Sequence, residues 1–189
     1  VLVFEITGAR LVAPFVGTSL YVWTSIIGVI LLSLAIGYGV GGWWADISAS
    51  RKKISGLIFG ASVAILGAFL AADFFALFLS QFRLDLRIMA FLLSLGLFSP
   101  ASMLLGMVPP HVVKLALRDV ERTGKTVGRL DALSTLGSIS GTFLTGFFLL
   151  PNFGTYWIMI FLVVTLFLLS ILAAPGDQKR VKVSYVFIL

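Results

Sequence analysis

Residues 19–53 read SLYVWTSIIGVILLSLAIGYGVGGWWADISASRKK. From Ser19 to Trp44 there is no charged residue. A helix rises about 1.5 Å per residue, so about 20 apolar residues cross a hydrocarbon layer of about 30 Å. This run is long enough. It ends on Trp43-Trp44, then Asp46, then Arg51-Lys52-Lys53, the aromatic-then-cation order of a membrane–water interface. The stretch predicts a membrane-spanning helix with a strongly basic end.

Working outward, the same reading applies to most of the chain. Val1–Ile6 reads as the tail of a first, truncated helix, Ser19–Trp44 as the second and Ile54–Phe78 as the third. Ile88–Val108 is the fourth, Ala132–Leu150 the fifth and Thr155–Ala174 the sixth. An apolar content of 59% and a mean hydropathy of +1.10 lie far from the composition of water-soluble domains. The expected fold class is all-α, a polytopic integral membrane bundle of six transmembrane helices with the first truncated. Residues 1–174 form the membrane domain, and residues 175–189 a tail whose alternation suggests a strand. The chain opens on Val inside an apolar run, which reads as a fragment or a processed product.

Cations fix the expected orientation. Of fourteen Lys and Arg, eleven fall in alternate polar segments: Arg51, Lys52 and Lys53; Lys114, Arg118, Arg122, Lys125 and Arg129; Lys179, Arg180 and Lys182. Cytoplasmic loops retain cations during insertion. Segments 45–53, 109–131 and 175–189 are therefore expected in the cytoplasm, with both termini, across an inner (plasma) membrane. Bilayer topology and anionic headgroups account for the net charge of +6, which excludes a nucleic-acid partner. With no Cys and a single His, thiol catalysis, disulfides and a multi-histidine metal site are excluded, and no metal or cofactor is expected.

Two polar turns on the opposite side resemble each other. Pro14-Phe15-Val16-Gly17-Thr18 precedes Tyr21 and Trp23, and Pro151-Asn152-Phe153-Gly154-Thr155 precedes Tyr156 and Trp157. Pro cannot extend a helix, Gly supplies the turn, and Thr caps the next helix. Both duplication and convergence of tight hairpins explain such a pair. Gly37, Gly39, Gly41 and Gly42 crowd one helix end, and Gly56/Gly60 and Gly137/Gly141 are small-xxx-small pairs that favour close helix packing in lipid. Pro100 is expected to kink the fourth helix.

Ionisable groups at membrane depth are costly and therefore mark candidate sites. Glu5 and Asp73 could face one cavity and attract a cation; Glu5 could instead pair with Arg10, and Asp73 could be an exposed helix end. Tyr21 and Trp23 lie at the same interface. Asp131, next to Arg129, reads as an acid at the start of the fifth helix, favoured by the positive helix terminus. Gly42-Trp43-Trp44-Ala45-Asp46 before a basic cluster reads as a tight cytoplasmic turn. It resembles the loop between the second and third helices of the major facilitator superfamily, with Ile47 and Ala49 where a basic residue and Gly are expected. The fold would then be a major-facilitator-like half. His111 after Pro109-Pro110 reads as an interfacial helix-start residue. Thr123–Arg129 lacks the spacing of a phosphate loop.

Several stretches resemble one family together: Glu5 with Arg10–Ser25, Gly37-x-x-x-Gly41-Gly42, Gly106–Pro110, Gly124-x-x-x-Gly128-Arg129, Ser134–Ser138 with Gly141-Thr142, and Pro151-x-x-Gly154-Thr155. Their order and spacing are similar to the membrane domain of bacterial spermidine-synthase-like integral membrane proteins. In that family a membrane domain precedes a soluble domain resembling aminopropyltransferases. Glu5, Asp73, the kinked fourth helix and the facilitator-like turn point to a membrane domain that binds or transports a small cationic solute such as a polyamine. The resemblance, with the basic inner face, implies instead a membrane anchor for a synthase-like soluble domain or subunit. A piece of a larger transporter is a third reading. No catalytic residue is carried over, because no soluble nucleotide-binding domain is present in the sequence.

Overall fold

Residues 1–117 and 123–175 are described by the computed structural model, and among them every regular element is helical. The helices are α1 (Leu2–Val16), α2 (Leu20–Ile47), α3 (Arg51–Ser80), α4 (Leu86–Gly106), α5 (Val108–Ala116), α6 (Thr123–Phe143) and α7 (Leu150–Ala173). A π-helical turn, Leu144–Leu149, joins α6 to α7. Four stretches are long and apolar enough to cross a membrane: Leu20–Ile47, Arg51–Ser80, Leu86–Ala116 and Thr123–Ala173. The expected strand in the tail lies outside the described residues.

A parallel pair, α2 and α4, forms the centre. Ser33 Oγ donates to Ser99 Oγ at 2.9 Å and Arg87 Nη2 to the Tyr21 hydroxyl at 3.1 Å, both across a separation of 66 residues. Gly37 faces Met103 and Gly41 faces Met107 with the same separation. A constant offset over the length of two helices means parallel packing in fixed register. The approach is close because glycine permits it. A Cβ on Gly37 would run into the Met103 carbonyl, one on Gly41 would lie 2.6 Å from Met107 Cα, and one on Gly106 would lie 2.9 Å from the Leu34 carbonyl. In lipid, where burial of apolar surface gives no drive, such backbone contact supplies the dispersion that holds helices together.

The second pair is antiparallel. Ser55 Oγ donates to the Ser170 carbonyl at 2.7 Å and Ser62 Oγ to the Val163 carbonyl at 2.9 Å, while Phe69 meets Tyr156 edge-on at 5.3 Å. Each step of seven residues along α3 is a step of seven back along α7. A seven-residue repeat keeps one seam of each helix facing the other. Helix α1 is held by a different device. Phe98 of α4 packs edge-on against Phe4 at 5.2 Å, and its ring fills the space a side chain at Gly8 would need.

Helix boundaries differ from the sequence expectation in two places. The first helix does not stop at Ile6; α1 runs through Arg10 and Pro14 to Val16. Pro14 is tolerated because it lies in the last turn, where its missing N–H forfeits a single bond. The Gly17 N–H closes on the Ala13 carbonyl at 2.8 Å. The fifth helix starts at Thr123 rather than Ala132, and helical backbone continues through Pro151 up to the break at Gly154. Thr123–Ala173 spans 51 residues, about 77 Å if straight, more than twice the hydrocarbon thickness. It is broken at Gly154, whose φ of 69° and ψ of 168° are non-helical. Helix α6 touches α5, and the Ser170 end of α7 touches Ser55 near the start of α3. Both legs therefore return to the basic end of the bundle, and the chain reverses at Gly154.

Gly17 and Gly154, the matched turn glycines of the sequence, share one backbone state: φ 73° and ψ −164° in the first, φ 69° and ψ 168° in the second. That region is essentially restricted to glycine. The two hairpins therefore match in geometry as well as in letters. Among the other paired glycines the packing role is uneven: Gly141 faces Val3 and Gly60 faces Leu104, whereas Gly56 and Gly137 face open space.

The α2–α4 contact makes a direct prediction. Gly37→Ala is expected to destabilise the fold by about 1–3 kcal/mol through overpacking. Gly39→Ala on the same helix, where a Cβ meets nothing, is expected to stabilise it by about 0.5–1 kcal/mol through helix propensity. Equilibrium unfolding in detergent micelles measures both.

Candidate functional site

Two places in the bundle gather polar chemistry. The first is a cleft between α1 and α6. It has a volume of about 340 Å³ and is lined by Leu2, Ser134, Thr135, Ser138, Thr142 and Phe143, among others. A smaller recess of about 170 Å³ adjoins it at Val1, Gly137 and Gly141. Ser134, Ser138 and Thr142 recur every four residues, so one face of α6 carries a column of hydroxyls. Thr142 Oγ1 donates to the Ser138 carbonyl at 2.8 Å, and buried Thr145 donates to the Gly141 carbonyl at 2.7 Å. Thr145 is fully buried and lines neither recess, whereas Thr142, with its proton tied back to the helix, presents oxygen lone pairs to the cleft. Ser138 stands midway between Thr123 and the Gly154 reversal, and in this column Ser134 is exposed while Ser138 and Thr142 are half-buried.

The wall of this cleft is thinly supported. Along Thr123–Phe143 no residue of α6 is buried, whereas α2, α3 and α4 each bury eight. Glu5 of α1 is half-buried and stands one helical turn beyond Val1, which lines the recess.

The second place is the basic end, where α2, α3 and α5 meet. Lys114 Nζ donates to Asp46 Oδ1 at 2.7 Å, and Lys53 Nζ sits 4.5 Å above the Trp44 ring. Ser50 caps α3 by accepting from the Lys53 N–H. Trp44 in turn meets the His111 ring edge-on at 5.6 Å. His111, in the first turns of α5, is fully buried, and its Nδ1 lies 2.9 Å from the Met107 carbonyl. A carbonyl only accepts, so Nδ1 carries the proton, and the buried Nε2 has no hydrogen-bond partner among the described residues.

The expected site residues are dispersed across the fold. Glu5 and Asp73 are not joined by a hydrogen bond or ion pair, and Asp73 is exposed on α3, lining neither recess. Arg10 is exposed on α1, and no ion pair links it to Glu5. Tyr21 is the partner of Arg87, whose guanidinium also stacks 4.4 Å from its ring. Trp23 is an exposed aromatic on the same helix. Gly42 faces open space, so it is no packing position, whereas Asp46 two turns from Gly39 is engaged by Lys114. Arg129 and Asp131 are both exposed on α6. Asp131 lies well inside that helix, so it is no N-terminal acid; the helix simply begins earlier than the apolar run does. No group of three His, Asp or Glu is close enough to hold a metal among the described residues.

Reasoning from charge missed the hydroxyl column, because Ser and Thr leave no mark in a search for ionisable groups. Its four-residue period was the available signal. Comparison with family models, curated proteins and solved structures finds no match.

The Asp46–Lys114 pair is about half exposed on the lysine side and more so on the aspartate side, at 51% and 72%. Exposed pairs couple weakly. A double-mutant cycle with Asp46→Asn and Lys114→Gln is expected to give about 0.2–1 kcal/mol, falling further as salt is raised.

Proposed function

We propose that this chain is the membrane domain of a spermidine-synthase-like integral membrane protein, and that it binds a small cationic solute, such as a polyamine, in the α1–α6 cleft. The observation that carries the reading is the column of hydroxyl acceptors midway through the bundle, with the half-buried carboxyl of Glu5 one turn from the adjoining recess. An ammonium group leaving water loses its hydration shell. Hydroxyl lone pairs replace those waters, and a carboxylate supplies the compensating charge. A polyamine repeats cationic nitrogens along an apolar chain, which suits a cleft mixing Ser and Thr with Leu2, Ile139 and Phe143.

In this reading the chain crosses an inner (plasma) membrane six times, counting α1 and both legs around Gly154, with the basic end in the cytoplasm. The concentration of Lys and Arg at that end supports the orientation. The sparse packing of α6 supports a wall that can move relative to α1, as a carrier of major-facilitator-like construction requires. A second reading, an anchor for an aminopropyltransferase-like domain or subunit, is favoured by one observation: α7 ends at the basic end, with Ser170 against Ser55.

The test is solute binding by the purified chain in lipid nanodiscs, measured calorimetrically with spermidine. Glu5→Gln is expected to weaken binding at least tenfold, and Ser134→Leu with Ser138→Leu, which fills the cleft, to abolish it. Asp73→Asn should leave it unchanged. No binding by the parent, or equal binding by the cleft-filled variant, overturns the carrier reading.

A further inference from the structure

The α1–α6 cleft ends, toward the Gly154 reversal, on an aromatic ring that the hydroxyl column does not explain. Phe143 lines the cleft, and its ring stacks on that of Phe147 with centroids 5.7 Å apart and planes at 16°. We propose that the Phe143 ring, backed by Phe147, is the specificity-determining element of the cleft and takes an alkylated ammonium nitrogen by cation–π contact. The inference rests on the reading that a cationic solute enters the cleft, and it names the class of that solute: an organic amine rather than a metal ion. Every other aromatic pair among the described residues is edge-on or tilted, with planes at 53° or more. Helix geometry explains the exception. Four residues overshoot one α-helical turn of about 3.6 residues and fall short of a turn in the i→i+5 π-helix. Phe143 and Phe147 straddle the junction of α6 with the π-helical turn, where the two offsets oppose each other and set one ring over the other.

A stacked pair leaves the outer face of each ring open. Of the two, only Phe143 lines the cleft, so the face turned away from Phe147 is the one available to a solute. An aromatic face carries the negative lobe of the ring quadrupole and attracts a cation within about 6 Å of its centroid. Two neighbours complete the site. Thr142, adjacent in the chain, presents oxygen lone pairs to the same cleft. Glu5 stands at the depth of the ring. Gly141 faces Val3, α1 and α6 both run toward the turn glycines Gly17 and Gly154, and each helix rises about 1.5 Å per residue. Two residues further on, Glu5 and Phe143 therefore share one level, and the half-buried carboxyl supplies the net charge that a quadrupole lacks. An ammonium nitrogen with carbon substituents meets the ring face through its methylenes and the oxygen lone pairs through its N–H groups. A small divalent metal ion such as Mg²⁺, which sheds its water reluctantly, can do neither.

Progressive fluorination of the ring tests the contact, because fluorine drains the ring face of charge while keeping its size and apolar character. Phe143 is replaced in the full chain by its mono-, di- and trifluorinated analogues, and spermidine binding is measured calorimetrically in nanodiscs. Affinity should fall stepwise with each fluorine, to about tenfold weaker at the third. The same series at Phe148, an exposed ring of the same turn that lines neither recess, should change affinity by less than about twofold. Mg²⁺ at the concentration of spermidine should not displace it. A parent that binds spermidine with a flat series at Phe143 overturns this inference alone, since apolar packing is indifferent to ring charge. An equal loss at Phe148, or displacement by Mg²⁺, overturns it as well. A parent that binds no spermidine overturns the carrier reading and this inference with it.

Discussion

The backbone contact between α2 and α4 is the constraint on which the rest of the bundle depends. Two helices of a lipid-embedded protein gain nothing from hiding leucine from lipid, so they associate only where surfaces fit closely enough for dispersion and buried hydrogen bonds to accumulate. Gly37 and Gly41 on one helix and Gly106 on the other remove the side chains that would hold the backbones apart. Ser33 and Ser99 add a hydrogen bond in the middle of the same interface. With the register set there, Tyr21 falls beside Arg87 at one end and Gly41 beside Met107 at the other. Met107 is where α4 gives way to α5, so the same contact sets α5 against α2 and brings Lys114 to Asp46 and His111 to Trp44.

The remaining helices attach to this pair with graded firmness. The α3–α7 seam has three contacts at seven-residue intervals and two interhelical hydrogen bonds. The aromatic wedge of Phe98 into Phe4 and Gly8 locates α1. Helix α6 buries nothing along its length and meets α1 across a cleft. Function drawn from the loosely held end of this series is physically sensible, since elements that move must be those whose packing is cheap to lose. A fixed basic end and a lightly packed hydroxyl-lined wall thus occupy different parts of one bundle.

Much of the helical architecture was legible in the sequence, because hydropathy over 20 residues is a strong signal and glycine clusters mark close contacts. Gly37 and Gly41 pack as their clustering suggests, and Gly17 and Gly154 share the glycine-only backbone that their matched sequences imply. Boundaries were less legible. Pro14 looks like a helix breaker, yet in the last turn of α1 it forfeits a single hydrogen bond; Thr123–Asp131 looks too polar for a helix, yet it extends α6 beyond its apolar part. Three-dimensional neighbours were not legible at all. Glu5 and Asp73 share a side of the membrane in one dimension but sit on helices whose faces the sequence does not orient, and neither lines the α1–α6 cleft or the recess beside it. His111 misled for the opposite reason: two prolines suggest an exposed helix start, while the ring fills space under Trp44.

The central claim is that α2 and α4 run parallel in contact with a fixed register, and the absence of native Cys makes it directly measurable. Cysteines placed at Ser33 and Ser99 should crosslink rapidly under mild oxidation in the membrane. A pair displaced by about one and a half turns, at Ser33 and Ser94, should not. Efficient crosslinking of the displaced pair, or none in the Ser33–Ser99 pair, would contradict the register and with it the placement of both the basic corner and the cleft.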